Sequence, residues 1–328
     1  MGYKLDPALP MSDAIRYVAF AELEIAHGSL STPPDRHTGV HSARKCLKRL
    51  RSLLLLARPG MPEPVFRNLT ARVAAIGKGL AATRDAQALI DAVDKLERAT
   101  GPGPGQGPIQ SIRGWLQKRR QAAEQKLETG TASEAMRKLL ELRPAFAGLA
   151  VYPDDFSPIA RGLERCYRAT RKDFKAAFAA DEAETIHEWR KDVQHHWRQM
   201  QLLTPCWPSE LSARADAARS LSQVLGEDHD IAMLMHLIST PTMTFGSLEE
   251  TDAFLKRCRR RHKALRKDAR IKGERLFIEK TGPFVERIQA YWATAAVGAD
   301  QPPARPQPQP DNVVAFSDPR SSSRGGQS

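Results

Sequence analysis

The sequence predicts an all-α protein on three observations. Before about residue 296, apolar residues recur at three- and four-residue intervals among Ala, Leu, Arg, Lys, Glu and Gln, most of them strong helix formers. Pro and Gly interrupt the pattern only in short bursts: STPPD at 31–35, RPGMPEP at 58–64, GPGPGQGP at 101–108, YPDDFSP at 152–158 and TPCWP at 204–208. The helical segments also fall into two series with matching landmarks.

The first helix, near 11–28, ends at STPPD, and the second, near 38–57, runs on to RPGMPEP. Helices near 63–82 and 84–99 follow, the latter opening at Arg84-Asp85, and GPGPGQGP separates them from helices near 109–128 and 133–148. After YPDDFSP, Asp155 or Ser157 caps a helix near 157–180 with Pro158 in its first turn. The next, near 183–203, stops at TPCWP. Helices near 209–225 and 227–238 flank Gly226, and segments near 248–272 and 274–295 complete the series.

The correspondence between the series has a constant offset. His41, Arg44 and Lys45 match His187, Arg190 and Lys191 at 146 residues, and Arg84-Asp85 matches His229-Asp230 at 145. This predicts a helical repeat at 1–148, a second at 149–296, and a Pro/Gln/Ser-rich disordered tail at 297–328.

The charge balance points outward. The 328 residues carry a formal net charge of +12, with a pI of about 9.7, so an anionic partner is expected: nucleic acid, anionic lipid or a phosphate-rich ligand. Cys46, Cys166, Cys206 and Cys258 lie far apart, which argues against a zinc site or disulfide framework and for a reducing compartment. The opening MGYKLDPALPMSD has no apolar core of a secretory signal, Asp6 breaks the myristoylation pattern, and no apolar run is long enough to span a bilayer; a cytoplasmic protein is expected.

On a helical wheel, His41, Arg44, Lys45, Lys48, Arg51 and Ser52 share one half, opposite Ala43, Cys46, Leu47, Leu50, Leu53 and Leu54. His187, Arg190, Lys191, Gln194 and Arg198 form the matching face of the second series. A solvated face normally mixes charges of both signs. Neither face has an acid beside its cluster, with Glu188 and Asp192 to one side, so two matching cationic faces suggest an anionic ligand. His196 projects to the apolar side as a core histidine, and His195 sits at the margin, open to either role.

The two stretches HSARKCLKRLR and IHEWRKDVQHHWR, with RDAQAL at 84–89, LGEDHDIAML at 225–234, CYRATRKDF at 166–174 and GERLFIEKTGPF at 273–284, resemble the conserved histidine α-helical domain, or CHAD, family over about residues 11–290. The resemblance implies two four-helix bundles related by a pseudo-two-fold axis, with basic residues lining a central cleft or pore that binds inorganic polyphosphate without catalysis. It implies a ligand-facing set of His41, Arg44, Lys48 and Arg51, joined by His187, Arg190, Lys191, Arg198, Tyr167 and Arg171. Arg84 and His229 take the dipeptide positions, and Gln194 stands where the first repeat has Lys48. Lys45, on the same face, completes the candidate polyphosphate-binding residues. No cofactor and no metal are expected, and association with polyphosphate granules is a role the family implies.

Two other classes stay open at this stage. His229-Asp230 spells the dipeptide of metal-dependent phosphohydrolases, although its counterpart Arg84 cannot ligate a metal. A nucleic-acid-binding surface would use KRCRRRHKALRKDAR at 256–270, for which a solvated helix end is the alternative. ELEIA at 22–26 lacks the lysine of the ExExK mark of triphosphate-tunnel enzymes and lies in a helical segment.

Overall fold

The structure, a computed structural model, describes residues 2–33, 35–101, 106–126, 130–180, 182–240 and 245–299. Among these it is all-α, with no strand. The helices are α1 (Met11–Ser31), α2 (Arg36–Ala57), α3 (Glu63–Gly79), α4 (Ala81–Thr100), α5 (Gln106–Lys126), α6 (Ala132–Ala147), α7 (Ser157–Ala180), α8 (Ala183–Leu203), α9 (Pro208–Ile238), α10 (Leu248–Leu276) and α11 (Thr281–Ala299).

Local chemistry sets several of the ends. Asp35 accepts a hydrogen bond from the Thr38 amide at 2.8 Å and opens α2. Asp155 accepts from the Ser157 amide at 2.7 Å where α7 begins. Ser247 and Glu250 form a reciprocal capping box on α10.

The largest departure from expectation is α9, one continuous helix where a break at Gly226 was expected. Its burial continues on both sides of the glycine, through Leu211, Ala215, Ala218, Leu221 and Leu225 before it and Asp228, Ile231, Leu234 and Ile238 after it. Packing on both sides outweighs the roughly 1 kcal/mol that glycine costs inside a helix. In the first half, α3 and α4 are separate helices that meet at Leu80. At the other end, α11 continues to Ala299, past the expected start of the tail, and 300–328 lie outside the described residues.

Two apolar cores hold the helices, and each draws on both sides of residue 149. The larger joins α1, α2, α3 and α6 to α7, α8, α11 and the first half of α9. The smaller joins α4 and α5 to α10 and the second half of α9. Gly162 permits the close crossing of α7 on α2, because a Cβ there would fall 1.8 Å from the Leu56 carbonyl oxygen. Across the same crossing Arg165 donates to the Leu55 carbonyl at 2.7 Å. Basic helix α2 is thereby fixed against α7 and α8, which positions the site.

Candidate anion-binding cleft

The basic face of α2 opens onto a cleft of about 330 Å³ walled by α2, α8 and α9. His41, Arg44, Lys45, Lys48 and Arg49 line it from α2, Gln194, Trp197, Arg198 and Gln201 from α8, and Arg219 and Ser222 from α9. Among the described residues, no acidic residue lines it. Leu47, Leu50 and Leu54 are buried behind α2 and hold its cationic face outward.

The cations are held to different degrees. Lys45 and Lys48 are exposed. Arg44 donates from Nη1 to the Gly77 carbonyl at 2.9 Å, which ties α2 to the end of α3. Arg49 donates to a buried Glu22 carboxylate at 3.0 Å and lies over the Tyr3 ring at 4.9 Å. Arg198 is buried and donates to the Gln194 carbonyl at 2.7 Å. Burial lowers its pKa to about 10, an effect the Tyr3 hydroxyl opposes and Arg49 and Arg51 reinforce, so it stays cationic at neutral pH. Its guanidinium lies 4.9 Å from the Trp197 ring centre, and that of Arg219 lies 5.8 Å from it.

A second cluster stands nearer the N-terminus of α8, outside the cleft lining. The rings of His187 and His229 lie 4.9 Å apart. Burial, then Lys191 and Arg190, lower the pKa of His187; burial, then Arg190 and His187, bring His229 to about 4. His229 is therefore neutral at pH 7, and His187 is shifted toward its neutral form. Arg190 is half-buried beside them; burial lowers its pKa, which Asp230 and Asp228 oppose. Among the described residues, no group of three or more His, Cys, Asp or Glu side chains is placed to hold a metal ion.

Several expected ligand positions stand apart from the cleft lining. Tyr167 is buried in the core, its ring stacked on Phe284 at 4.1 Å, and its hydroxyl donates to the Glu279 carbonyl and accepts from Arg214. Arg171 donates to the Phe277 carbonyl at 3.1 Å and braces the turn between α10 and α11. Lys191 pairs with Glu188 at 2.6 Å, so the second face is not free of acids. Arg51 is exposed but does not line the cleft. The side chain of Arg84 lies outside the described residues. His196 is the core histidine expected, and His195 faces α2.

Sequence reasoning missed Arg49, Trp197, Gln201, Arg219 and Ser222. Arg49, beside Lys48, sits off the face that the wheel centred on Arg44 and Lys48 picks out. Arg219 carries no motif, and only the packing of α9 on α8 brings it in. The basic run on α10 is half structural. Arg257 donates to Thr100 and the Gly101 carbonyl, Arg261 pairs with Glu227, and His262 lies 2.7 Å from Asp228. Lys256, Arg259, Arg260 and Lys263 remain exposed.

Comparison with known proteins agrees with this architecture. The model of the CHAD domain family matches residues 28–239. No curated protein matches the chain. Among solved structures, PptA from Streptomyces chartreusis superposes with a TM-score of 0.54 at 14% identity, over 88% of this chain and 99% of that one. The CHAD domain from the plant Ricinus communis gives 0.47 at 16% identity, over 88% of this chain and 94% of its own. With the family model covering well over half of the residues, including both His-x-x-Arg helices and the cleft they face, the chain belongs to the CHAD domain family.

Proposed function

We propose that this chain binds inorganic polyphosphate in the cleft between α2, α8 and α9, performs no chemistry on it and needs no cofactor. The observation that carries the reading is the convergence of Arg44, Lys45, Lys48, Arg49, Arg198 and Arg219 on one cleft with no acidic residue among its described lining. Gathering like charge on one lining costs stability, and a polyanion repays it. Guanidinium forks and ammonium groups suit phosphate oxygens through charge-assisted hydrogen bonds, and polyphosphate has no base edges to read. CHAD domains are linked to polyphosphate binding, which supports the same reading. Trp197 supports it further: two guanidinium groups already attend its ring, so it is poorly placed as a platform for a nucleic-acid base.

The physiological form of the reading is association with polyphosphate granules in the cytoplasm. No helix among the described residues is long and apolar enough to cross a membrane. A second reading, nucleic-acid binding, draws on the exposed cations Lys256, Arg259, Arg260 and Lys263 of α10. Calorimetric competition at physiological salt, long-chain polyphosphate against duplex DNA and RNA, separates the two. Polyphosphate is expected to bind more tightly; equal or tighter binding of DNA or RNA refutes the proposal.

A further inference from the structure

The fold sorts the basic run KRCRRRHKALRKDAR of α10 into two sets. One set is committed to the frame. Arg257 donates to Thr100 and the Gly101 carbonyl, Arg261 pairs with Glu227 at 2.6 Å, and His262 and Arg266 lie 2.7 and 3.7 Å from the Asp228 carboxylate. The other set, Lys256, Arg259, Arg260, Lys263, Lys267 and Arg270, is exposed. At about 100° per residue all six fall within about 60° of Lys256, opposite the buried Phe254, Cys258, Leu265 and Ala269. They make one cationic row, about 21 Å long, on the outside of the helix.

Other exposed helix faces of the chain mix charges of both signs. Glu134 and Glu141 pair with Arg137 and Lys138 along α6, and Glu164 pairs with Arg168 on α7. The α10 row does the opposite. No acid stands on it between Lys256 and Arg270, and Asp268, off the row, pairs with Lys272 at 3.2 Å. Among the described residues only Arg270 of the row pairs with an acid, Glu274 at 3.1 Å. Its cations recur at three- and four-residue steps, where like charges repel. The contacts of the first set to α4 and α9 fix the helix so that the row stays outward. An anion laid along the row relieves the repulsion.

The row is separate from the cleft. No residue of α10 lines the cleft, and Phe254, Leu255, Cys258 and Leu265 root α10 in the smaller core, whereas α2 sits in the larger. It also lies beyond residue 239, where the match to the family model ends. The row holds only lysine and arginine, so it offers charge to phosphates but neither a stacking platform nor an edge reader to a base. We propose that the outward row of α10 is a second polyphosphate site, so that one molecule bridges two polymer segments. This inference rests on the polyphosphate reading above. A convex helix face meets the polymer from one side and in full solvent, so this site is the weaker of the two. Each long polymer in turn meets many protein molecules, and the two assemble into a network.

The test titrates the full chain by calorimetry with short polyphosphate whose contour length is close to that of the row. Two binding events per chain are expected, one tight and one weaker. In the variant carrying Lys256→Gln, Arg260→Gln, Lys263→Gln and Lys267→Gln the weaker event is expected to disappear, with the tight dissociation constant within about threefold and helical circular dichroism unchanged. With long-chain polyphosphate, light scattering is expected to rise for wild type and to drop about fivefold or more in the variant. A single event in wild type, two events in the folded variant, or equal scattering by both overturns the second site and leaves the cleft reading intact. No binding at all by wild type overturns the polyphosphate reading itself. A variant that loses duplex DNA but keeps both polyphosphate events assigns the row to nucleic acid and overturns the proposal. Should the four substitutions together prevent folding, Lys256→Gln with Lys263→Gln carries the same test.

Discussion

Ser52 on α2 and His195 on α8 meet with Oγ and Nδ1 2.8 Å apart, which joins the two basic helices directly behind their cationic faces. The Ser52 hydroxyl also donates to the Lys48 carbonyl at 3.0 Å, so its oxygen is left to accept from His195. Ser52 is fully buried, so its hydroxyl has no water to turn to. Ser52→Ala is expected to cost about 1–3 kcal/mol of stability, the range for orphaning a buried polar group. Urea denaturation checks it, and an unchanged midpoint would show that the contact contributes nothing.

The same histidine predicts acid sensitivity. Burial, then Arg198, Arg51 and Lys48, lower the pKa of His195 to about 3, against 6.5 in an unfolded chain. Between those values the unfolded state binds the extra proton, so the stability is complete above pH 6.5 and is lost as pH falls toward 3. His196, buried beside Arg214, acts in the same direction. Asp192 opposes them, because burial and then Asp173 raise its pKa. The melting temperature is expected to fall between pH 6.5 and 5, and to fall less steeply in His195→Gln. Parallel curves for the two proteins would refute this origin.

Binding variants separate the cleft from its surroundings. Lys45→Glu with Lys48→Glu reverses two exposed charges on the lining and is expected to weaken polyphosphate binding on the order of 100-fold or more, with little change in melting temperature. Lys191→Ala removes a cation already paired with Glu188 and outside the lining, so the expected change is within about twofold. Reversal of Arg44 is less informative, since it also breaks the bond to the Gly77 carbonyl. Isothermal titration on the three proteins distinguishes these outcomes.

Salt dependence counts the contacts. Each phosphate-binding cation contributes about 0.7 to the slope of log affinity against log salt for a single-stranded polyanion. Arg219→Gln, which removes one exposed lining charge from α9, is expected to reduce the slope by about that amount. An unchanged slope would place the polymer away from α9.

Tyr167 and Arg171 give the converse case. Tyr167→Phe removes the hydroxyl that meets Arg214 and the Glu279 carbonyl, and Arg171→Ala releases the Phe277 carbonyl. Each is expected to destabilise the fold by about 1–2 kcal/mol and to leave polyphosphate affinity within about twofold. Thermal melts and titrations on the same samples check both halves. A large affinity loss without destabilisation would restore them as ligands.

Helix periodicity and Pro/Gly punctuation were enough to read the all-α class and most helix limits, because apolar spacing and turn chemistry are local properties. α7 and α8 lie at the expected residues. Gly226 misled because a glycine signals a break only when packing on either side does not continue, and burial from Leu211 to Ile238 does continue. His41, Arg44, Lys45 and Lys48 were legible as one cationic face, since a wheel needs only the sequence of one helix.

What the wheel cannot contain is the partner that meets that face. Tyr167 and Arg171 carry family motifs, yet carbonyl partners in the turn between α10 and α11 engage them in the frame. Arg219 carries no motif, yet the packing of α9 on α8 delivers its charge to the cleft. Glu22 and Tyr3 lie far from Arg49 in sequence and close around it in space. By itself, then, the sequence determined the helices, the positive charge and the face that bears it. Which cations converge, and which are held by a carboxylate, a carbonyl or a ring, depends on contacts between residues distant along the chain, and only the tertiary structure decided that.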